Sequence, residues 1–435
     1  MLELTTELEQ LEREGTPIRV GIIGVGQMGR ALAGQLALLP GIRPAVTVDH
    51  RPPRARTALL ASGVPEERIA QAETPEEAEE LIRRGKLVIG GDGLLAARTP
   101  SVDVVVDATG NIEDGLLYSL EAIAHRKHLV TMNAEADVTV GPLLARKARE
   151  AGVVYTGMAG DEPGAVMELY RFARAMGLTV LVLGKGKNNH VDLEANPDTA
   201  AREAAEKGMN PRMLASFQDG TKTMVELTAM ANATGFLPDV PGARGPSAAA
   251  EELPGLYRLR EEGGILSRYA TVDYVNGVAP GVFAIVTTPH PELRAQLRYL
   301  SMGEGPNYLL YRPYHLCSME TPISIARAAL RGMATIAPLA EAPFAETAAV
   351  AKRDLRAGEL LDGIGGYTVY GTILSHRDAA AQGALPMGLV NRRTRMKRDA
   401  AKGQLITYDM VELWEDSLAL RLRKEQDGLL GKGLL

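Results

Sequence analysis

The stretch Gly24-Val25-Gly26-Gln27-Met28-Gly29 constrains this chain more than any other. It follows the short apolar run Ile18-Arg19-Val20-Gly21-Ile22-Ile23, and an apolar-periodic segment begins at Arg30. A strand buried on both faces, a glycine turn and a helix, close to the N-terminus, open a parallel dinucleotide-binding sheet. Gly24 permits the tight turn, Gly26 lets backbone approach a pyrophosphate, and Gly29 lets helix and strand pack closely. The helix N-terminus then offers unpaired N–H groups to phosphates. The three glycines with Gln27 and Met28 are the expected dinucleotide contacts. A plain strand-to-helix turn would not need all three glycines in this context.

A second strand over 45–48 ends at Asp49, twenty residues after Gly29. An acid at that point binds the ribose 2′-hydroxyl of NAD, whereas Arg51 and Arg54 just beyond it suit the 2′-phosphate of NADP. The residues leave NAD(H) and NADP(H) both open. A later strand over 102–106 runs into Asp107-Ala108-Thr109-Gly110, small residues that let backbone lie against the nicotinamide ribose. Asn133, after a strand over 129–132, joins the expected cofactor contacts. Between Pro52 and Pro100 the chain is longer than a simple crossover. It carries a helix start at Thr74-Pro75-Glu76-Glu77 and the apolar stretch Leu87-Val88-Ile89, which reads as an insertion.

With 435 residues, 46% of them hydrophobic, the chain can fill two or three cores. A net charge of −6 argues against nucleic acid as the main partner. The single Cys317 excludes an intramolecular disulfide framework and fits a reducing compartment. No run reaches the roughly 18 apolar residues of a membrane span, and the charged start is not a signal peptide. A cytoplasmic location without membrane attachment is the expectation.

Alternating strands and helices predict an α/β chain whose N-terminal Rossmann domain, a doubly wound parallel sheet, spans 1–155 and is completed by 318–337. After Tyr155 the texture becomes α+β, with strands at 180–183, 269–275 and 282–286 and an amphipathic helix over 223–234. This second domain, 156–317, is read as inserted between cofactor-binding parts of the chain. A further helix over 322–333 is expected to pack back on the Rossmann sheet. Pro338 to Pro343 reads as a linker. Beyond it Lys352-Arg353-Asp354 with Gly358-Glu359-Leu360-Leu361 recurs as Lys397-Arg398-Asp399 with Gly403-Gln404-Leu405-Ile406. Two copies predict a small β-rich module over 343–435.

Chemistry concentrates in four places. Glu135, in Asn133-Ala134-Glu135-Ala136-Asp137, and Asp161 with Glu162, in Gly160-Asp161-Glu162-Pro163-Gly164, are acids beside expected helix starts. They serve equally as capping residues, proton-transfer groups or ligands of a divalent Mg²⁺ or Mn²⁺ ion. Gly184-Lys185-Gly186-Lys187-Asn188-Asn189-His190 reads as a loop after a buried strand. Its two ammonium groups and two amides suit a small anionic or polyhydroxylated substrate. A lysine there can also donate a proton to a carbonyl being reduced. Lys222 stands just before the helix, and His315 is a weaker, structural-looking candidate. No histidine or cysteine grouping has zinc-ligand spacing.

The order of parts resembles the homoserine dehydrogenase superfamily. More closely, the chain resembles the deoxyxylulose-5-phosphate reductoisomerase-like enzymes within it. The strings that carry this are Lys127-His128-Leu129-Val130 through Asn133-Ala134-Glu135-Ala136-Asp137-Val138-Thr139, Gly160-Asp161-Glu162-Pro163 and Gly184-Lys185-Gly186-Lys187-Asn188-Asn189. Lys222-Thr223-Met224-Val225-Glu226, Ala231-Asn232-Ala233-Thr234-Gly235 and Arg312-Pro313-Tyr314-His315-Leu316 add to them. The resemblance implies NADPH-dependent reduction coupled to rearrangement of a phosphorylated deoxyketose in isoprenoid precursor synthesis. It also implies a central catalytic and dimerising domain and a homodimer; read from the residues themselves, Lys185 and Lys187 suit a phosphate anchor. The C-terminal repeat resembles an SAF module. Asp49-His50-Arg51 departs from a plain NADP signature. Ala134-Glu135 stands where a homoserine dehydrogenase would carry a lysine.

Three functions remain on this reading: a reductoisomerase-like reductase, a homoserine-dehydrogenase-like, sugar-acid or polyol dehydrogenase without rearrangement, and a cofactor-binding regulatory protein whose C-terminal module recognises a carbohydrate or partner.

Overall fold

The computed structural model describes residues 2–431. They fall into two compact units, one formed by residues 2–164 and 316–337, the other by 165–315 and 338–431. No helix among the described residues is long and apolar enough to cross a membrane.

The first unit is built on a parallel sheet of seven strands: β1 (Ile18–Ile23), β2 (Ile42–Val48), β3 (Ile69–Gln71), β4 (Leu87–Gly90), β5 (Val104–Asp107), β6 (His128–Thr131) and β7 (Tyr155–Gly157). Their order is β3-β4-β2-β1-β5-β6-β7, the doubly wound α/β architecture the sequence predicts. The long stretch between β2 and β5 adds more than one helix. It contributes the helices Pro52–Ala61, Pro75–Arg83 and Gly93–Arg98 as well as the edge strand β3. The expected start at Thr74 is a reciprocal capping box with Glu77. Strand and helix side chains such as Val20, Ile22, Leu32, Leu36, Val104 and Val130 close one continuous apolar core, and Ile325 of the helix Thr321–Arg331 belongs to it. The returning segment is tied to β7 where the Gly157 N–H donates to the Ile336 carbonyl at 2.8 Å.

The second unit carries a four-stranded mixed sheet from β8 (Thr179–Lys187), β9 (Thr271–Asn276), β10 (Val282–Thr287) and β11 (Asn307–Arg312), ordered β11-β10-β8-β9. The helix Thr221–Thr234 touches β8 and β9, and also β12 (Ala345–Ala351) and β13 (Val369–Ser375). Because it is covered from both directions, all its residues except Lys222 are buried. The expectation of an amphipathic helix over 223–234 is corrected: a second β-layer covers the face that would have been wet.

That second layer flanks the first copy of the C-terminal repeat, and the two copies of the repeat bond to each other reciprocally. The Gly358 N–H donates to the Met396 carbonyl at 2.7 Å, and the Gly403 N–H donates to Ala351 at 2.8 Å. Asp354 accepts the Lys402 N–H at 2.9 Å, and Asp399 accepts the Ala357 N–H at 2.8 Å. Each partner lies forty-five positions from its counterpart. The segment is keyed to the central helix by buried polar bonds. Phe344 and Ala345 N–H groups donate to Asn232 Oδ1 at 2.7 and 3.0 Å, Thr347 and Thr228 hydroxyls meet at 2.8 Å, and the Gly371 N–H donates to Thr221 Oγ1 at 2.8 Å.

Candidate functional site

In the first unit the candidate contacts gather at the C-terminal edge of β2, β1, β5 and β6, where ligands bind in open α/β sheets. Gly24 has φ +94°, and a Cβ there would lie 2.8 Å from the Ala108 carbonyl oxygen. A Cβ on Gly29 would lie 1.9 Å from the Gly24 oxygen, so the helix Gln27–Leu38 approaches β1 too closely for any side chain. Around Gly26 the space is open, with no heavy atom within 4 Å of a Cβ. Gly26 is the N-cap of that helix and has no side chain to satisfy its first N–H groups, while Gln27 and Met28 are exposed beside it. This is a cradle shaped for a phosphate group.

Asp49 is buried, and its carboxylate is already engaged. It accepts the Val25 N–H at 2.9 Å and the Arg51 N–H at 3.0 Å, pinning the glycine loop to the end of β2. Arg51 and Arg54, around the start of the helix Pro52–Ala61, are exposed.

At the end of β5, Asp107 is fully buried. Its Oδ1 accepts both the N–H and the hydroxyl of Thr109, at 2.9 and 2.6 Å. Its Oδ2 has no hydrogen-bond partner among the described residues. Burial raises the carboxyl to about 6, with the Thr109 bonds opposing. Ala108 is anchored to β1 through Ile23, and Gly110 is exposed with open space about it. Asn133 is both N-cap of the helix Ala134–Glu150 and a tie between strands, since its Nδ2 donates to the Asn111 carbonyl at 2.9 Å. Glu135 is half-buried in the first turn of that helix, and Asp161 and Glu162 are half-buried at the start of the helix Glu162–Ala175.

In the second unit, Lys185 and Lys187 do not sit on a loop, as the sequence suggests. They belong to β8, with 5% and 6% of their surfaces exposed. Gly184 and Gly186, which imitate a loop in the sequence, are required by neighbouring elements: a Cβ would come within 2.4 Å of the Phe283 ring and 2.3 Å of the Ala279 nitrogen respectively. Period-two alternation puts both lysines on one face of the strand. Asn188 is exposed and Asn189 half-buried where the strand ends.

The two ammonium groups differ. Lys185 is in a buried ion pair with Glu226 of the helix Thr221–Thr234. Lys187 donates to the Phe217 carbonyl at 2.7 Å. Burial, then the charge of Lys185, lower Lys187 to about 8. Lys222 lies in the first turn of the same helix and is half-buried. Nearby Asp219, almost wholly buried, accepts the Thr221 N–H and the Lys352 ammonium, both at 2.8 Å. Lys352 also donates to the Ala195 and Gly366 carbonyls. Sequence reasoning singled out neither Asp219, Glu226 nor Lys352 as a site residue. The repeat marked Lys352 in the sequence, but nothing there distinguished it from its equivalent Lys397, which is exposed where Lys352 is buried. Lys187 thus lies among the charges of Lys185, Glu226 and Asp219, and is an ammonium able to give up a proton near neutral pH.

Residues 160–321 match the sequence model of a family described as "Oxidoreductase DRL, catalytic domain". The segment contains Lys185, Lys187, Lys222 and Glu226. An L-aspartate dehydrogenase 1 of Bordetella parapertussis is 34% identical over 160 residues, 36% of this chain and 58% of the relative. The chain thus spans a little over half the length of the curated relatives it matches. Among solved structures, a DOX-P reductoisomerase in complex with magnesium aligns over 74% of this chain and 72% of that one, at 13% identity and TM-score 0.42. An aldose-aldose oxidoreductase from Caulobacter crescentus complexed with glycerol aligns over 74% and 92%, at 15% identity and TM-score 0.41.

Proposed function

We propose that the chain is an NAD(P)-dependent oxidoreductase that reduces the carbonyl of a small anionic substrate. The observation that carries this is the cradle at Gly24, Gly26 and Gly29: an open helix N-terminus at the end of β1, with no room for side chains where strand and helix meet. The match of residues 160–321 to an oxidoreductase catalytic domain supports it.

A reduced nicotinamide, when bound, supplies the hydride. Lys187 supplies the matching proton: its ammonium gives H⁺ to the oxygen as the carbonyl becomes a hydroxyl, and its lowered pKa makes that transfer easy near neutral pH. Lys185, fixed by Glu226, raises the local positive potential and favours developing oxyanion charge. Lys222 belongs with these groups as an anchor for the substrate's anionic group. Asp49 is committed to two backbone N–H groups, while Arg51 and Arg54 stand exposed beside it. That favours NADP(H) over NAD(H). The substrate we infer is a phosphorylated ketose whose reduction is coupled to rearrangement.

A second reading is a dehydrogenase of a small carboxylate without rearrangement. It is favoured by the Bordetella relatives, which are named L-aspartate dehydrogenases. Calorimetry with NADPH and NADH, followed by turnover with deoxyxylulose 5-phosphate, homoserine, aspartate and sugar acids, separates the two. Failure to bind either pyridine nucleotide would remove the proposal.

A further inference from the structure

The C-terminal segment beyond Pro343 holds a cavity of about 300 Å³ that the reading above does not use. It lies wholly within the second unit. Charged groups line one side of it. Arg423, buried in the helix Leu418–Gly431, forms a two-pronged ion pair with Glu346 of β12 at 2.9 and 2.7 Å. His376 Nδ1 meets the same carboxylate at 2.9 Å, and Arg423 Nε donates to Asp427 at 2.9 Å. The other side is small and apolar, with Ala379, Ala380, Gly383 and Ala384 among its residues. Tyr408 also lines the cavity, and its hydroxyl is buried without a hydrogen-bond partner among the described residues.

A buried phenol without a partner is destabilising unless something pairs with it. The Arg423–Glu346 pair, by contrast, is internally satisfied. Burial opposes ionisation of Glu346, but the guanidinium and His376 outweigh it and hold the carboxyl below its usual value. A carboxylate or phosphate entering here meets Glu346 and Asp427. An ammonium meets Arg423. A neutral hydroxyl group meets neither repulsion, and it can both donate to and accept from Tyr408.

We infer that this cavity is a second small-molecule site, distinct from the lysine cluster, and that its ligand is a neutral polyhydroxylated compound of about six carbons. Tyr408 is its recognition group, and Ala380, exposed at the rim, lies where a larger side chain would close the entrance.

A matched series tests this on the full chain: sorbitol, its carboxylate gluconate and its amine glucamine, titrated by calorimetry. Sorbitol binds saturably, and both charged analogues bind more weakly by at least about tenfold. Tyr408→Phe weakens sorbitol by about tenfold, the worth of one hydrogen bond. Ala380→Trp abolishes sorbitol binding, Lys187→Met leaves it unchanged, and melting temperatures confirm that every variant folds. The inference is overturned if sorbitol does not bind, if gluconate or glucamine binds as well, or if Lys187→Met removes binding while Ala380→Trp does not. NADPH titrations of the same variants are independent of these outcomes, so failure of the ligand site leaves the oxidoreductase reading standing.

Discussion

The Lys352 ammonium donates to Asp219 Oδ2 at 2.8 Å with both side chains almost wholly buried, whereas Lys397, its counterpart in the second copy of the repeat, is exposed. One copy has kept its lysine in water; the other has driven it into the polar cluster beside the helix Thr221–Thr234. Removing one member of a buried pair leaves an uncompensated charge, which costs roughly 3–5 kcal/mol. Lys352→Met should therefore lower unfolding free energy by that amount in urea titrations. Adding Asp219→Asn should restore part of it, because the amide oxygen still accepts the Thr221 N–H. Lys397→Met should stay within about 0.5 kcal/mol of the parent. Equal losses for both lysines would contradict the asymmetry.

Lys187 should set the alkaline limb of the reaction. Its pKa of about 8 means that the proton-donating ammonium disappears as pH rises through that value. The kcat/KM for carbonyl reduction should fall above pH 8. Lys187→Ala should cut turnover by about 100-fold or more, in line with general acid catalysis, with dinucleotide affinity little changed. A pH profile flat from 7 to 10 in the parent enzyme would exclude this role.

Asp107 should make stability fall as pH rises. Its folded pKa, about 6, lies above the ordinary 3.8, so between those values the native chain binds more protons than the unfolded one. The protonated form is the better tolerated one, and ionisation through this window costs about 3 kcal/mol. Asp107→Asn keeps an oxygen for the Thr109 bonds and carries no charge. It should be more stable than the parent at pH 8 and should flatten the dependence between pH 4 and 6. An unchanged slope in thermal unfolding across that range would remove Asp107 as its source.

Gly26→Ala separates binding from folding. A methyl there meets no protein atom within 4 Å, and the residue's φ of −71° is ordinary for alanine. The variant should melt like the parent yet bind dinucleotide at least about tenfold more weakly, because the methyl occupies the pyrophosphate's approach. Undiminished NADPH and NADH affinity would place the dinucleotide elsewhere.

Arg51→Ala combined with Arg54→Ala should weaken NADPH by at least about tenfold, the worth of a charge-assisted hydrogen bond, and leave NADH nearly unaffected. Parallel losses for both cofactors would show that these guanidinium groups do not read the 2′-phosphate.

The sequence by itself determined the glycine turn after β1, the parallel sheet and the repeat. Each depends on local rules: glycine where a side chain has no room, apolar runs for strands covered on both faces, a Thr74–Glu77 capping box, and copies of one string at a fixed spacing. Tertiary structure alone decided the state of the lysines. Gly184-Lys185-Gly186-Lys187 has the composition of a loop, yet Phe283 and Ala279 press on its glycines from neighbouring elements and hold it as strand. Glu226 and Phe217, thirty or more residues away, divide two adjacent ammonium groups into one paired and one titratable. Asp49, at the end of β2, is tied to the glycine loop through the Val25 and Arg51 N–H groups, one of them twenty-four residues away. Charge and proton affinity depend on what surrounds a group in space, and partners distant in sequence leave no mark on the pattern near it.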